Sequence, residues 1–153
     1  MKKNWISKIK RTRGEDFDRL KFLRLDKNER VISFETKFIN HLKKKISSNI
    51  ISSYPQIEKI YKKISKFYNI SKESICLTAG SDLAIRSCFE LFTREQDKVI
   101  TINPTFGMVD VYVKLFNLRN IRIGYDKKLN LNFNKLYKNI SKKISLIIIA
   151  NPN

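Results

Sequence analysis

The chain has 153 residues, 42% of them hydrophobic, and 32 Lys and Arg against 14 Asp and Glu give a formal net charge of +18. That length allows one domain with a real core, burying roughly 70% of the unfolded surface when compact. No run approaches the ~18 apolar residues of a membrane span, one histidine and two cysteines offer no metal-ligand spacing, and Met1-Lys2-Lys3-Asn4-Trp5 opens no apolar signal stretch.

The charge by itself reports a tendency to associate with anions, not a function. The lysines are spread along the whole chain and read as solvated faces of surface helices, so a nucleic-acid-binding role is the weaker reading. Cys76 and Cys88 read as reduced, buried thiols, and the protein is expected to be soluble and cytoplasmic.

Residues 1–35 are charged and weakly periodic and read as an arm, leaving 36–153 as the main domain. Thr36 to Ser47 sets Phe38, Ile39, Leu42 and Ile46 at helical spacing. Ser52-Ser53-Tyr54-Pro55 marks a loop, with Pro55 suited to the first turn of a helix carrying Ile57, Ile60, Tyr61, Ile64 and Phe67 on one face. The pattern then alternates. Ser74–Thr78 predicts a strand, Ser81–Phe92 a helix and Lys98–Ile102 a strand. Phe106–Phe116 predicts a helix, Asn120–Gly124 a strand, Asn132–Ile140 a helix and Ile144–Ala150 a buried strand. Strands alternating with helices of this length predict an α/β fold: three layers, with a mainly parallel sheet between flanking helices. Functional residues then belong in loops at the carboxyl ends of the strands.

Three segments are predicted to follow strands directly, and so to share one sheet edge. In Thr78-Ala79-Gly80-Ser81-Asp82 a glycine turn opens a helix, which aims backbone N–H groups and the positive end of the helix dipole at one spot. A phosphate fits there; the plainer reading is that Ser81 or Asp82 simply caps the helix, and the two are compatible. Asn103-Pro104-Thr105-Phe106 could be an ordinary turn, yet it sets an aromatic ring beside that spot, as a flat conjugated ligand needs for stacking. Asn151-Pro152-Asn153 is the third. Tyr54 could be a surface tyrosine before a proline. With four glycines in the chain there is no G-x-G-x-x-G or P-loop, and His41 beside a lysine run reads as exposed rather than catalytic. Ser7-Lys8-Ile9-Lys10 fits S-x-x-K without its structural context.

Together these segments resemble the first part of a fold-type-I pyridoxal-phosphate aminotransferase, of the histidinol-phosphate aminotransferase group, from about Leu25 onward. Leu25-Asp26-Lys27-Asn28-Glu29 resembles the family's L-x-x-N-E substrate segment. Tyr54-Pro55 resembles its Y-P element, and Leu77 to Asp82 with Ala84-Ile85 its cofactor-phosphate loop. Pro104-Thr105-Phe106-Gly107-Met108 resembles P-T-[YF]-x-M-Y, and Ile149 to Asn153 the start of N-P-N-x-P-T-G. Arg30-Val31 departs from the Asn-Pro of many histidinol-phosphate enzymes, and Val109 replaces the tyrosine after Met108.

The resemblance implies pyridoxal 5′-phosphate as cofactor. It implies that Gly80, Ser81 and Asp82 hold its phosphate, Phe106 stacks on its ring and Asn153 lies at its ring oxygen. Tyr54 would reach the cofactor of a second subunit in a homodimer, and Asn28 and Glu29 would lie by the substrate. The implied reaction moves an amino group between an amino acid, or an amino-alcohol phosphate such as histidinol phosphate, and a 2-oxo acid. No lysine here matches the family's cofactor-binding lysine, so no residue is assigned to proton transfer and the isolated chain is expected to be inactive. Two other readings stay open: a non-catalytic remnant that binds a partner, and a basic nucleic-acid-binding module.

Overall fold

A computed structural model describes Trp5, Ile6, Ile9 and residues 18–25, 27 and 29–153. Asn28, Asp26 and the Ser7, Lys8 and Lys10 positions of the S-x-x-K match lie outside the described residues. Residues 77–153, with Trp5, Ile6 and Ile9, form one compact unit, and the described residues between 18 and 76 form another.

The larger unit is built on three parallel strands, β1 (Lys98–Asn103), β2 (Arg119–Gly124) and β3 (Ile144–Ile148), in the order β2-β1-β3. Ile100 of β1 stands level with Ile121 on one side and Ile147 on the other. Val99, Ile100, Thr101 and Ile102 are all buried, as a central parallel strand covered on both faces requires. Over one face, helices α4 (Gly80–Phe92) and α5 (Gly107–Leu115) pack Phe89, Val109, Tyr112 and Val113 against Val99. Over the other, Leu136 of α6 (Phe133–Asn139) packs on Ile100, Ile102 and Ile123. Thr101, buried on β1, donates from its hydroxyl to Asn120 Oδ1 at 3.0 Å, which satisfies it next to β2. At the end of α5 the indole N–H of Trp5 donates to the Leu115 carbonyl at 3.3 Å, serving one of the orphan acceptors every helix leaves.

The three-layer α/β expectation holds, and the alternating elements fall within a few residues of their predicted ends. Two strand expectations are corrected. Ser74–Thr78 is not a strand: Ser71 accepts the Glu73 N–H, Lys72–Ser74 closes a turn of 3₁₀ helix, and the following residues have no ladder partner among those described. A strand-like pattern of five residues cannot make a strand without a neighbour for its backbone groups. The Ile144–Ala150 run is not a fully buried strand either. It ends at Ile148, and Ile147 is 36% exposed, because α6 packs over β1 and β2 and leaves that face of β3 partly open. Cys76, expected to be buried, is exposed, since its segment lies outside the sheet.

The smaller unit holds α1 (Thr36–Lys45), α2 (Ser48–Ser52) and α3 (Glu58–Tyr68). The helix predicted over Thr36–Ser47 stops at Lys45, because Ser47 takes extended angles and its hydroxyl accepts the Ile50 N–H to start α2. Asn69 ends α3 in the left-handed region, φ 52, which asparagine tolerates better than most residues. These helices bury no side chain: Phe38, Leu42, Ile60 and Phe67 all remain exposed, and so does His41. No helix among the described residues is long and apolar enough to cross a membrane.

At the amino ends of the strands one carboxylate fastens several segments. Asp97 Oδ2 accepts the Arg94 N–H at 2.9 Å and the Ser145 hydroxyl of β3 at 2.8 Å, while the Asp97 carbonyl accepts the Arg119 N–H at the start of β2. The Arg94 amide, followed by the Ser145 hydroxyl, holds the Asp97 carboxyl below the usual aspartate range. A folded-state value below the unfolded one stabilises the fold above the unfolded value and is lost as pH falls through the folded one. Asp97→Asn should therefore melt below the wild type at pH 7. The gap should narrow as pH drops below the ordinary aspartate value of about 3.9. Thermal melts followed by circular dichroism across pH 7 to 3 check this; a gap constant with pH would contradict it.

Candidate functional site

The turn into α4 is set by its backbone. Gly80 has φ +82, a region L side chains rarely adopt, and a Cβ built there would meet nothing within 4 Å. Glycine is needed here for the angle and not for room. The Gly80 N–H donates to the Thr78 carbonyl at 2.8 Å and the Thr78 hydroxyl donates to the Gly80 carbonyl at 2.9 Å, so the turn is closed from both sides.

Neither Ser81 nor Asp82 caps the helix. The capping position is Ala79, which offers no side-chain acceptor, and Gly80, Ser81 and Asp82 are the first three helical residues. Ser81 is exposed, and the Asp82 carboxylate accepts the Tyr112 hydroxyl of α5 at 2.8 Å. The first-turn amides are thus left without the side-chain acceptor that most helices supply, at the positive end of a 13-residue helix. This donor set fits a phosphate.

The other two segments meet at the carboxyl ends of the strands. Past β1, Pro104-Thr105-Phe106 leads into α5, with Phe106 at the capping position and its ring 47% exposed. Thr105 Oγ1 is buried with no hydrogen-bond partner among the described residues, a feature a ligand's polar group can satisfy. Past β3, Asn153 Nδ2 donates to the Pro104 carbonyl at 2.8 Å and to the Tyr125 hydroxyl at 2.9 Å. One side-chain amide thereby ties together the loops after all three strands. The peptide bonds Asn103-Pro104 and Asn151-Pro152 are both cis.

Gly80, Ser81, Asp82, Phe106 and Asn153 all belong to the larger unit, with Asp82 joined to α5 through Tyr112 and Asn153 joined to the Pro104 loop. The glycine turn follows an extended segment outside the sheet and not, as predicted, a strand of it. Tyr54 and Glu29 belong to the smaller unit. Tyr54 is 98% exposed in the loop between α2 and α3. Both Glu29 oxygens are engaged, Oε1 by Arg19 at 2.8 Å and Oε2 by Arg24 at 2.9 Å, so this carboxylate fastens its own segment. Sequence reasoning missed Tyr125 and Tyr112. Tyr125 could have been found, since it directly follows β2 at the same sheet edge. Tyr112 could not, since only the packing of α4 on α5 brings it to Asp82.

Known proteins match this arrangement in sequence and in fold. A histidinol-phosphate aminotransferase of Clostridium novyi is 28% identical over 134 residues, 86% of this chain and 38% of that protein. One of Brachyspira hyodysenteriae is 34% identical over 99 residues, 65% of this chain and 27% of that protein. The histidinol-phosphate aminotransferase of Sinorhizobium meliloti, solved in complex with pyridoxal-5′-phosphate, shares the fold with a TM-score of 0.66 at 13% identity, over 77% of this chain and 32% of that one. The chain thus spans well under half the length of the proteins it matches. Residues 23–153 match the family model described as Aminotransferase class I and II, and the chain belongs to that family.

Proposed function

We propose that this chain is the cofactor-phosphate portion of a pyridoxal-5′-phosphate-dependent aminotransferase. The parent reaction moves an amino group between an amino acid, or an amino-alcohol phosphate such as histidinol phosphate, and a 2-oxo acid, in a cytoplasmic homodimer. The observation that carries the reading is the uncapped start of α4 behind Gly80, in a chain that matches the aminotransferase family over residues 23–153.

Each residue then has a defined task. Ser81 and Asp82 offer their backbone N–H groups to the cofactor phosphate and the Ser81 hydroxyl adds a donor, while Gly80, its own N–H held by the Thr78 carbonyl, sets the turn that aims them. Asp82 takes part through its amide alone, since its carboxylate is committed to Tyr112. Phe106 presents its exposed ring as a stacking face for the pyridine. Asn153 fixes the Pro104 loop that leads to Phe106, and so orients the ring beside the cofactor. Exposed Tyr54 reaches the cofactor of a second subunit, while Asn28 and Glu29 belong to the substrate side, Glu29 by holding Arg19 and Arg24 in place. When bound, the cofactor supplies a conjugated ring that accepts the electron pair released at the substrate's α-carbon.

No lysine among these 153 residues matches the family's covalent cofactor-binding position, so the chain binds and orients but does not move the proton. Incubated with pyridoxal 5′-phosphate, an amino donor and a 2-oxo acid, the isolated chain should form no new amino acid by chromatography; sustained turnover would refute this. The phosphate reading is tested with pyridoxine 5′-phosphate, which lacks the aldehyde that surface lysines would capture. Gly80→Ala should cost about 1–2 kcal/mol of stability, the strain of a side chain at positive φ. Calorimetric titration should show about fivefold or more weaker binding of pyridoxine 5′-phosphate, a loss of about 1 kcal/mol, with no matching loss for pyridoxine. Equal losses for both ligands would speak against a phosphate site at this turn.

A further inference from the structure

Asp82 poses an electrostatic problem for the site just described, on which this inference rests. A carboxylate at the third position of a helix can fold back onto the amides of its own first turn, because helix N-termini attract negative charge of any origin. Those amides are the donors a phosphate needs, so a free Asp82 carboxylate would compete with the ligand for them and repel it. The structure keeps it away: the Tyr112 hydroxyl, on a side chain that is 5% exposed in the α4–α5 core, donates to Asp82 Oδ1 at 2.8 Å.

We propose that Tyr112 is a positioning residue for phosphate recognition, which holds the Asp82 carboxylate on α5 and so keeps the first-turn amides of α4 open to the ligand. Tyr112 is well placed for this task. Its ring packs with Phe89 of α4 at a centroid separation of 6.0 Å, within the core cluster that also contains Val109 and Val113. The hydroxyl is therefore aimed from a packed base, and Tyr112→Phe removes the donor to Asp82 while the ring is kept.

A purely structural role for Tyr112 would weaken the fold and lower affinity for every ligand alike. A positioning role changes one quantity: the ratio of affinities for pyridoxine 5′-phosphate and pyridoxine. The test measures that ratio by calorimetry for the wild type, Tyr112→Phe, Asp82→Asn and the double variant, with circular dichroism to confirm that each is folded. Tyr112→Phe should lower the ratio by about tenfold, the scale of one charge turned onto a helix terminus. Asp82→Asn should leave the ratio unchanged or raise it, and the double variant should recover the wild-type ratio, since the carboxylate that Tyr112 restrains is gone. A Tyr112→Phe ratio equal to the wild type's, or a double variant as poor as Tyr112→Phe, overturns the proposal while leaving the phosphate site intact. If Tyr112→Phe does not fold, Asp82→Asn decides: a lowered ratio means the carboxylate assists the ligand, and the proposal fails. A wild-type chain that binds both ligands equally removes the phosphate site, and the proposal with it.

Discussion

The loops that meet at the candidate site hang on β1. It lies between two parallel neighbours, and its four middle residues are buried by α4 and α5 on one face and α6 on the other. Parallel pairing forces each strand to end at the same edge, so the chain must leave β1, β2 and β3 on one side and return over a helix face. The Pro104-Phe106 loop, Tyr125 and Asn153 are neighbours for that topological reason, and the Asn153 amide then fastens them. At the opposite edge the Asp97 carboxylate holds the start of β3 to the turn that enters β1. One edge is thus fixed by a charge-assisted staple, and the other is left to loops.

Much of this could be read from residue order alone. Helical spacing placed α3 to α6 to within a few residues, because each carries an apolar stripe and a clear end, such as Asn69 after α3. The glycine turn and the proline segments each have ordinary readings as a helix start or a turn, and they drew notice only together, in family order along the chain. What could not be read depends on partners distant in sequence. The apolar pattern of Ser74–Thr78 is real, but a strand is a relation between two segments, and none pairs with it among the described residues. The run from Ile144 looked buried because its residues are apolar, whereas burial depends on what covers them. The Tyr112–Asp82 bond joins residues 30 apart, and neither residue type announces the other.

The corrected roles matter more than the corrected boundaries. Ser81 or Asp82 could have capped the helix, and one first-turn amide would then have been taken by a side chain. Instead the cap position falls to alanine, and the acidic side chain is drawn aside by a buried tyrosine. Glu29, set by resemblance beside a substrate, is held by two arginines. A carboxylate so engaged shapes its segment first, and any contribution to substrate binding passes through those arginines. The exposed apolar faces of α1 and α3 and the half-open β3 sit beside a simple fact of length: the aminotransferases that match this chain are more than twice as long.

The central claim is that the first turn of α4 is a phosphate cradle. The most direct measurement is a set of backbone amide spectra of the isotope-labelled chain, recorded as pyridoxine 5′-phosphate is added at physiological salt. The account predicts saturable shifts concentrated at the amides of Ser81 and Asp82, with smaller ones at Gly80, Thr105 and Phe106. Shifts spread over the lysine-rich faces of α1 and α3, with the α4 amides unmoved, would show a basic chain attracting an anion and would contradict it.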